Sequence, residues 1–551
     1  MSASSLPRGR APARRAGLAL VLASVPAVAL SAALASGAFA ASTTHVSKAG
    51  LKAQPAGARA PKAVRTGLES LEAEVKDFTL PNGLKFIVVE RHEAPVFSFN
   101  TIVNSGSAND AVGTTGLAHM MEHMAFKGTE RVGTKDWAAE APLLAGEEKA
   151  WDAYLAERRK GARADTTKLA ALRQGLKDAQ EAARQPLDPN GFTRTIEQNG
   201  GQNVNAFTSN DITSYFYSMP SNRLELWSLL EGGRLAHPVF REFYKERDVV
   251  FEERRMRVES SPVGRLVDEF IHAAFTAHPY GFGGIGFPSD LTSFSRTQGE
   301  EFFKRNYVAK NMVVSIVGDV TAADVKAFGA KYWSDISDAP APPPLDTVEP
   351  EQKAERRVIL EDKAQPFVLI GWHCPAATDP SYPAFEALSS LLAGGDFARL
   401  TKLLVKEKKV AVNVIASPGF PGQKYPNEFV IFVVPAAGQD PLALEQMVYD
   451  ALDDITSKHP FTQDELDGFK VRSRAERISA VRSNATLASS LAEAQTFYGD
   501  WHEFFREQER VQALTVDEVI GAMKHTLVRS NRTVGVIVPP KTDTAATEGG
   551  R

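Results

Sequence analysis

A proline-rich stretch near the middle of the 551-residue chain constrains its fold more than any other feature. Residues 337–345 read SDAPAPPPL, and because proline is excluded from helix interiors and central strands, this segment is predicted to be a semi-rigid linker. The parts before and after it each end in a strand-like run that follows helical sequence, at residues 310–317 and 531–538. This similarity predicts a duplicated unit, and we expect an α+β fold of two related domains.

An insertion interrupts the first of these domains. Leu169, Leu172 and Leu176 recur at helical spacing among charged residues, and Gly161 and Asp165 supply a break and a helix cap. We therefore expect a helical hairpin over about residues 134–184, with no function assigned to it. The predicted organisation is a first domain over residues 71–336, a linker over 337–355, a second domain over 356–540 and a tail over 541–551.

The first forty residues differ from the rest of the chain. Four arginines precede an alanine-rich apolar run over residues 16–35, and the small-residue sequence Ala38-Phe39-Ala40 follows. This pattern is typical of a secretory signal peptide cleaved near Ala40; a permanent anchor is the alternative, but the run is barely long enough to span a bilayer. We expect a periplasmic or secreted protein with no stable membrane span after signal removal, and a flexible spacer over residues 41–70.

Composition narrows the function classes. Hydrophobic residues make up 43% of the chain and charged residues 24%, as in ordinary folded domains. A formal net charge of −4 gives no basic excess, so we expect no nucleic-acid partner. The single cysteine, Cys374, permits no internal disulfide, and with His373 beside it on a strand we expect a buried thiol and a packed histidine rather than a metal pair.

The segment with the clearest chemistry is H-x-x-E-H at residues 119–123. On a helix, His119 and His123 share a face and can both direct an imidazole nitrogen at one Zn²⁺, and Glu122 lies beside the same site. Hydrolysis of a carbonyl compound needs such a carboxylate to take a proton from the attacking water. Two packed or surface histidines on an ordinary helix are the alternative interpretation of this short motif.

A hydrolytic zinc site with two histidines needs a third protein ligand, usually a carboxylate. Glu246 and Glu253 are seven residues apart in a segment of helical character, so they share a face, and Glu252 is the nearest rival to Glu253. From the residues alone, this segment is a helix of mixed charge whose ionic groups are expected to be solvated.

Taken together, these motifs resemble the pitrilysin/insulinase family of inverted-zincin metallopeptidases, specifically its two-domain, processing-peptidase-like class. The resemblance implies that His119, His123 and Glu253 bind zinc, that Glu122 is the general base, and that Glu246 is an outer-shell carboxylate. The matching segments lie at residues 80–84, 116–128, 205–208, 211–215, 246–253 and 278–281.

The same resemblance suggests how a substrate binds. Residues 205–208 read as a short strand, and in similar enzymes this strand is an exposed sheet edge to which an extended peptide adds. Asn205 and Ala206 are therefore the expected substrate-binding residues. An ordinary structural strand is the alternative interpretation.

The chain departs from the family pattern in its second half. The family offers an Arg and, about two helical turns later, a Tyr towards the active site, whereas Lys406 and Val412 occupy these places here. A valine donates no hydrogen bond to an oxyanion. Either other residues substitute, with Arg482 and Tyr498 as weak candidates, or a homologous partner subunit supplies the pair in a heterodimer. A homodimer that uses Lys406 is the competing arrangement.

The function expected from the sequence is that of an exported zinc metalloendopeptidase that hydrolyses peptides or unfolded segments. Two alternatives remain. The chain is either a peptide-binding or assembly subunit whose activity depends on a partner, or a metal hydrolase that does not act on peptides, an option that the strand at residues 205–208 disfavours.

Overall fold

The computed structural model describes residues 67–540. The predicted signal peptide, most of the predicted spacer and the predicted tail lie outside the described residues. Within them, no helix combines the length and the apolar character needed to cross a membrane. Helix α1 (Gly67–Glu72) begins inside the predicted spacer, which therefore ends earlier than expected, because Leu71 is buried in an apolar cluster.

The first half of the protein, up to residue 336, is a six-stranded sheet with helices around it. Its strands lie in the order β1-β2-β6-β3-β5-β4, so β4 and β1 are the two edges. After α1 come β1 (Lys76–Thr79), β2 (Lys85–Glu90), β3 (Val96–Val103), α2 (Leu117–Met124), α3 (Trp137–Arg158), α4 (Thr166–Ala183), α5 (Gly191–Gln198), β4 (Gln202–Thr208), β5 (Thr213–Pro220), α6 (Leu224–Ala236), α7 (Phe243–Arg254), α8 (Pro262–Ala274), α9 (Pro288–Leu291), α10 (Arg296–Asn306), β6 (Met312–Gly318) and α11 (Ala322–Tyr332).

The second half, from residue 356 onward, repeats this plan with a five-stranded sheet in the order β7-β11-β8-β10-β9. Its elements are β7 (Arg356–Glu361), β8 (Phe367–Cys374), α12 (Tyr382–Ala393), β9 (Ala411–Phe420), β10 (Asn427–Pro435), α13 (Pro441–Ser457), α14 (Gln463–Ala480), α15 (Asn484–Tyr498), α16 (Glu503–Ala513), α17 (Val516–Thr526) and β11 (Arg532–Val538). Residues 337–353, which join the halves, contain no helix or strand.

Strand directions show that the two sheets are the same unit. In the first, β2 and β6 are parallel and the pairs β6–β3, β3–β5 and β5–β4 are antiparallel. In the second, β7 and β11 are parallel, and β11–β8, β8–β10 and β10–β9 are antiparallel. The prediction of two related α+β units is confirmed.

The predicted helical hairpin is also present. Helices α3 and α4 pack against each other and are joined by a short turn in which Gly161 has a φ of 58°. Asp165 caps α4, because its carboxylate accepts a hydrogen bond from the N–H of Lys168 at 3.0 Å. The hairpin thus extends the first half without interrupting its sheet.

Each sheet buries one face under helices of its own half and the other face under the opposite half. On β2, Phe86 and Val88 face the first core, whereas Ile87 and Val89 face the opposite side, since successive side chains on a strand alternate. That opposite side is covered by α15 and α16 of the second half. In return, α8 of the first half packs on β7 and β11 of the second sheet.

A buried carboxylate links the two halves at the loop after β4. Asp211 accepts hydrogen bonds from the hydroxyl of Tyr280 and from the backbone N–H groups of Gln423, at 2.6 Å, and Lys424, at 3.2 Å. Gln423 and Lys424 belong to the β9–β10 connection of the second half, whereas Asp211 and Tyr280 belong to the first. Two of the sequence segments that support the family resemblance therefore meet at this inter-half contact.

We expect the Asp211→Ala substitution to lower the free energy of unfolding by at least about 2 kcal/mol, because it leaves several buried donors without an acceptor. Denaturant unfolding followed by tryptophan fluorescence measures this change. Asp335→Ala is the matched control, since the Asp335 side chain is 77% exposed and should change stability by less than about 0.5 kcal/mol. Equal unfolding midpoints for the two variants would contradict this account of Asp211.

Candidate metal centre

Helix α2 carries the H-x-x-E-H residues, and its start is held in place by a buried carboxylate. Asp110 accepts hydrogen bonds from the backbone N–H groups of Gly116, at 2.7 Å, and Ala118, at 2.9 Å. These N–H groups at a helix start have no partner within the helix, and the positive end of the helix dipole favours an anion there. Gly116 has a φ of 94°, which favours glycine, and a Cβ at this position would lie 2.4 Å from the carbonyl oxygen of Ile285.

The orientation of α2 follows from its apolar residues. Ala118, Met120, Met121 and Met124 are fully buried in the core of the first half. Because the helix contacts β4, α7 and α10, its remaining face points at the space between the edge strand and α7. His119, Glu122 and His123 lie on that face.

Helix α7 brings the third candidate ligand to this space. One ligand atom each from His119, His123 and Glu253 lies within 4.8 Å of the others. The Nε2 atom of His119 is 3.8 Å from Oε1 of Glu253, and that of His123 is 3.6 Å from Oε2 of the same carboxylate. No other group of three potential metal ligands with this spacing occurs in the described part of the chain.

The structure separates Glu253 from its rival Glu252. The Glu253 side chain is 14% exposed and faces the histidines. In contrast, the Glu252 side chain is 55% exposed and pairs with Arg255 at 2.9 Å. Adjacent residues on a helix differ by about 100° in direction, so only one of the two can face α2.

Burial prepares His119 and Glu122 for different roles. Burial, together with the nearby charges of His123 and Arg257, lowers the pKa of His119 to about 3, so it is neutral at physiological pH, the form that binds a metal. Burial raises the pKa of Glu122, although a hydrogen bond from Thr208 opposes the shift. The Thr208 hydroxyl donates to Oε2 of Glu122 at 2.7 Å and fixes its orientation. A carboxylate with a raised pKa suits a general base near neutral pH.

Glu246, one of the expected site residues, contacts His123 from the other side. Its Oε1 is 2.9 Å from Nδ1 of His123, and its Oε2 is 2.6 Å from Nζ of Lys127. Burial would raise the pKa of Glu246, but the hydrogen bond with His123 and the charge of Lys127 lower it to about 2. An ionised carboxylate on Nδ1 fixes the ring so that Nε2 points at Glu253, as outer-shell partners of metal-binding histidines do.

The predicted substrate strand lies beside this cluster. Strand β4 is an edge of the first sheet and pairs only with β5 in the described chain, with Ala206 opposite Tyr215. The N–H of Ala206 donates to the Oδ1 atom of Asn205 at 3.0 Å. A cavity of about 360 Å³ opens between β4 and Glu122; it is lined by Glu122, Lys127, Leu187, Asn190, Asn205 and Ala206, among others. Leu187 and Asn190 come from the segment that follows the inserted hairpin.

The candidates for the Arg/Tyr pair have other contacts. Nζ of Lys406 lies 3.0 Å from Asp396, and Val412 is 59% exposed on β9. The Tyr498 hydroxyl donates to the carbonyl of Ala377, and Arg482 is exposed. His373 and Cys374 contact different partners, as expected: the imidazole lies 3.1 Å from the carbonyl of Ala274, and the buried thiol donates to Asn427 at 3.0 Å.

Three contacts of the cluster were not foreseen from the sequence, and they involve Thr208, Lys127 and Arg257. Arg257 lies four residues after the candidate ligand Glu253, so helical periodicity was the available signal for this contact. Lys127 contacts Glu246, which is distant in sequence, so no local spacing indicated that contact. No local pattern indicates Thr208, because its contact with Glu122 depends on how β4 packs against α2.

The donor set fits a zinc ion. Two imidazole nitrogens and a carboxylate are the protein ligands of many hydrolytic zinc sites, and ligand atoms around tetrahedral zinc are roughly 3.3–3.4 Å apart. The separations of 3.6 and 3.8 Å between the histidines and Glu253 are close to this value. The three residues are therefore suited to hold the metal, with a coordination position left open.

Known proteins of similar sequence include zinc proteases. Residues 85–154 match the profile of the insulinase family (peptidase family M16), and residues 293–470 match that of the peptidase M16 inactive domain. The zinc protease PqqE of Helicobacter pylori is 28% identical over 424 residues, which cover 75% of this chain and 82% of that protein.

Two solved structures share the fold. A protease from Helicobacter pylori has a TM-score of 0.70 at 24% identity and matches 84% of this chain and 99% of that one. The first half of the periplasmic protease PqqL from Escherichia coli has a TM-score of 0.61 at 18% identity and matches 85% of this chain and 92% of that one. These matches confirm the resemblance to the insulinase family, and the relatives named zinc proteases support a peptidase function for the chain.

We expect the purified protein to bind about one zinc ion per chain. The Glu253→Gln substitution should lower zinc affinity by more than the roughly 10- to 100-fold that loss of an outer-shell partner costs. Glu252→Gln, in the neighbouring position, should leave the affinity unchanged. Competition with a chromogenic chelator measures both affinities, and the reverse result for the two variants would place the ligand one residue earlier.

Proposed function

We propose that this protein is an exported, zinc-dependent metalloendopeptidase that hydrolyses peptides or unfolded protein segments. The observation that carries the proposal is the convergence of His119, His123 and Glu253 beside a carboxylate, Glu122, next to an open sheet edge. A metal hydrolase of small molecules would not need a strand edge along its site.

Glu122 is the general base in this proposal. Zinc bound by the two histidines and Glu253 supplies a Lewis acid, which makes water more acidic and polarises a carbonyl group. Glu122 takes the proton of the attacking water on Oε1, because its Oε2 already accepts the Thr208 hydroxyl. The carboxylic acid then delivers this proton to the leaving amine nitrogen.

Strand β4 positions the substrate. An extended peptide that adds to this edge forms main-chain hydrogen bonds irrespective of its sequence, which favours unfolded segments over compact proteins. The amide of Asn205, which accepts the N–H of Ala206 in the absence of a peptide, must give up this donor when a strand binds. The cavity beside Glu122 then receives a substrate side chain next to the reacting bond.

Export and a partner are further parts of the proposal. The amino-terminal signal pattern supports export, and a protein of similar fold is named a periplasmic protease. A homologous partner subunit that supplies an Arg/Tyr pair is supported by the second half, because the Lys406 ammonium is paired with Asp396 and Val412 offers no donor.

We expect Glu122→Gln to lower kcat on an unstructured fluorogenic peptide by roughly 10²- to 10⁴-fold, because proton transfer is lost, while zinc content stays unchanged. Glu130→Gln, an exposed position eight residues later, is the control and should retain full activity. A chelator should abolish turnover by the native protein, and added zinc should restore it. Full activity of the Glu122→Gln variant would exclude Glu122 as the base. Separately, turnover by the purified native chain alone would exclude an obligatory partner.

For the edge strand, we expect Ala206→Pro to raise KM strongly or abolish turnover, because proline removes a main-chain donor and fixes φ. Ala206→Ser, which keeps the N–H, should behave like the native protein. Peptide kinetics with matched zinc analysis separates the two variants. Native kcat/KM in a folded, zinc-loaded Ala206→Pro protein would refute peptide addition at β4.

A further inference from the structure

Helix α7 does not end at Arg254 but continues as a π-helical segment, Arg255–Glu259. Its wider turn is closed by a hydrogen bond from the N–H of Ser260 to the carbonyl of Arg255 at 2.8 Å, five residues earlier. Such segments are rare and frequently occur at functional sites. This one directly follows the candidate ligand Glu253.

The π-helical segment is held by the start of α8. The guanidinium of Arg265 donates to the carbonyl of Glu259 at 2.6 Å. Gly264 allows close contact, because a Cβ there would lie 2.1 Å from the carbonyl oxygen of Arg257. The backbone around Arg257 is therefore fixed by its neighbours on both sides.

Within this segment, Arg257 turns towards the metal centre. Its Nη1 lies 2.7 Å from Oε1 of Glu253, a shorter distance than either histidine makes to that carboxylate. This ion pair involves Oε1 of Glu253 and leaves Oε2 facing His123. Lys127 likewise pairs with Glu246, so each of these two acidic residues forms an ion pair with a basic side chain.

We propose that Arg257 is a positioning residue that holds Glu253 in the orientation needed to bind the metal. The inference rests on the proposed zinc site and adds a residue that acts on it through Glu253. Two opposing effects determine how much Arg257 changes the zinc affinity. The positive charge of Arg257 repels a cation, whereas its ion pair with Glu253 restricts a flexible glutamate to one rotamer. Losing an outer-shell partner of a metal ligand typically costs roughly 10- to 100-fold in affinity.

Arg255 provides a matched comparison in the same segment. It also pairs with a glutamate, Glu252, at 2.9 Å, but both side chains are more than half exposed, whereas Arg257 is 45% exposed and its partner Glu253 only 14%. Exposed ion pairs of this kind contribute little. A substitution at Arg255 therefore changes the charge of the segment without changing the support of Glu253.

The test measures zinc affinity by chelator competition for the native protein and for Arg257→Ala, Arg257→Lys and Arg255→Ala. We expect Arg257→Ala to weaken zinc binding by roughly 10- to 100-fold. Arg257→Lys should lose less, since it keeps the charge but not the planar fork. Arg255→Ala should bind as the native protein does, and saturating zinc should restore peptidase activity to Arg257→Ala.

A double-substitution cycle tests whether Arg257 acts through Glu253. In the Glu253→Gln background, Arg257→Ala should weaken zinc binding little further, because the group it positions is already lost. Native zinc affinity in Arg257→Ala, or equal losses in both backgrounds, would overturn the inference while leaving the proposed function intact. Failure of the native protein to bind zinc would instead overturn the proposed function and this inference with it. Arg257→Lys keeps the comparison possible if the alanine variant fails to fold.

Discussion

The architecture depends on the burial of two sheets that each have two apolar faces. Helices of the same half cover one face, and the second face is covered only when α15 packs on β3 and β6 and α8 packs on β7 and β11. Burying each large apolar side chain at these contacts contributes about 1.5–3 kcal/mol. The two halves are therefore coupled by the same interaction that completes their cores.

The contacts between the halves are close in sequence to residues of the candidate metal centre. Helix α7 carries Glu253 and the π-helical segment carries Arg257. Helix α8, which covers the second sheet, follows after only Ser260 and Ser261. On the other side of the site, Thr208 holds Glu122, and three residues later Asp211 anchors the second half. A change in how the halves pack would thus move both the candidate ligand Glu253 and the proposed base Glu122.

The three glutamates of the candidate site have different surroundings, which suit them to different roles. Glu122, Glu246 and Glu253 are three carboxylates around two histidines. A hydroxyl and deep burial surround Glu122, a lysine and an imidazole surround Glu246, and an arginine supports Glu253. Burial raises the pKa of Glu122, whereas cationic and hydrogen-bonding partners lower that of Glu246. The environment of each carboxylate therefore separates the proposed base from the residue that orients a ligand.

The sequence by itself determined the features that depend on regular spacing within a single helix or strand. Helical spacing was enough to place His119, Glu122 and His123 on one face of α2 and to predict the inserted hairpin. The strand-like run that closes each half after helical sequence was enough to predict the repeated α+β unit. The choice between Glu252 and Glu253 required either a family resemblance or the packing of α7 on α2. Only the tertiary structure decided the contacts of Thr208 with Glu122 and of Asp211 with Gln423. The same is true of the packing of α8 and α15, each on the sheet of the opposite half. The physical reason is that a periodic pattern specifies which side chains share a face, whereas the partner of that face depends on how distant elements pack, which no local spacing encodes.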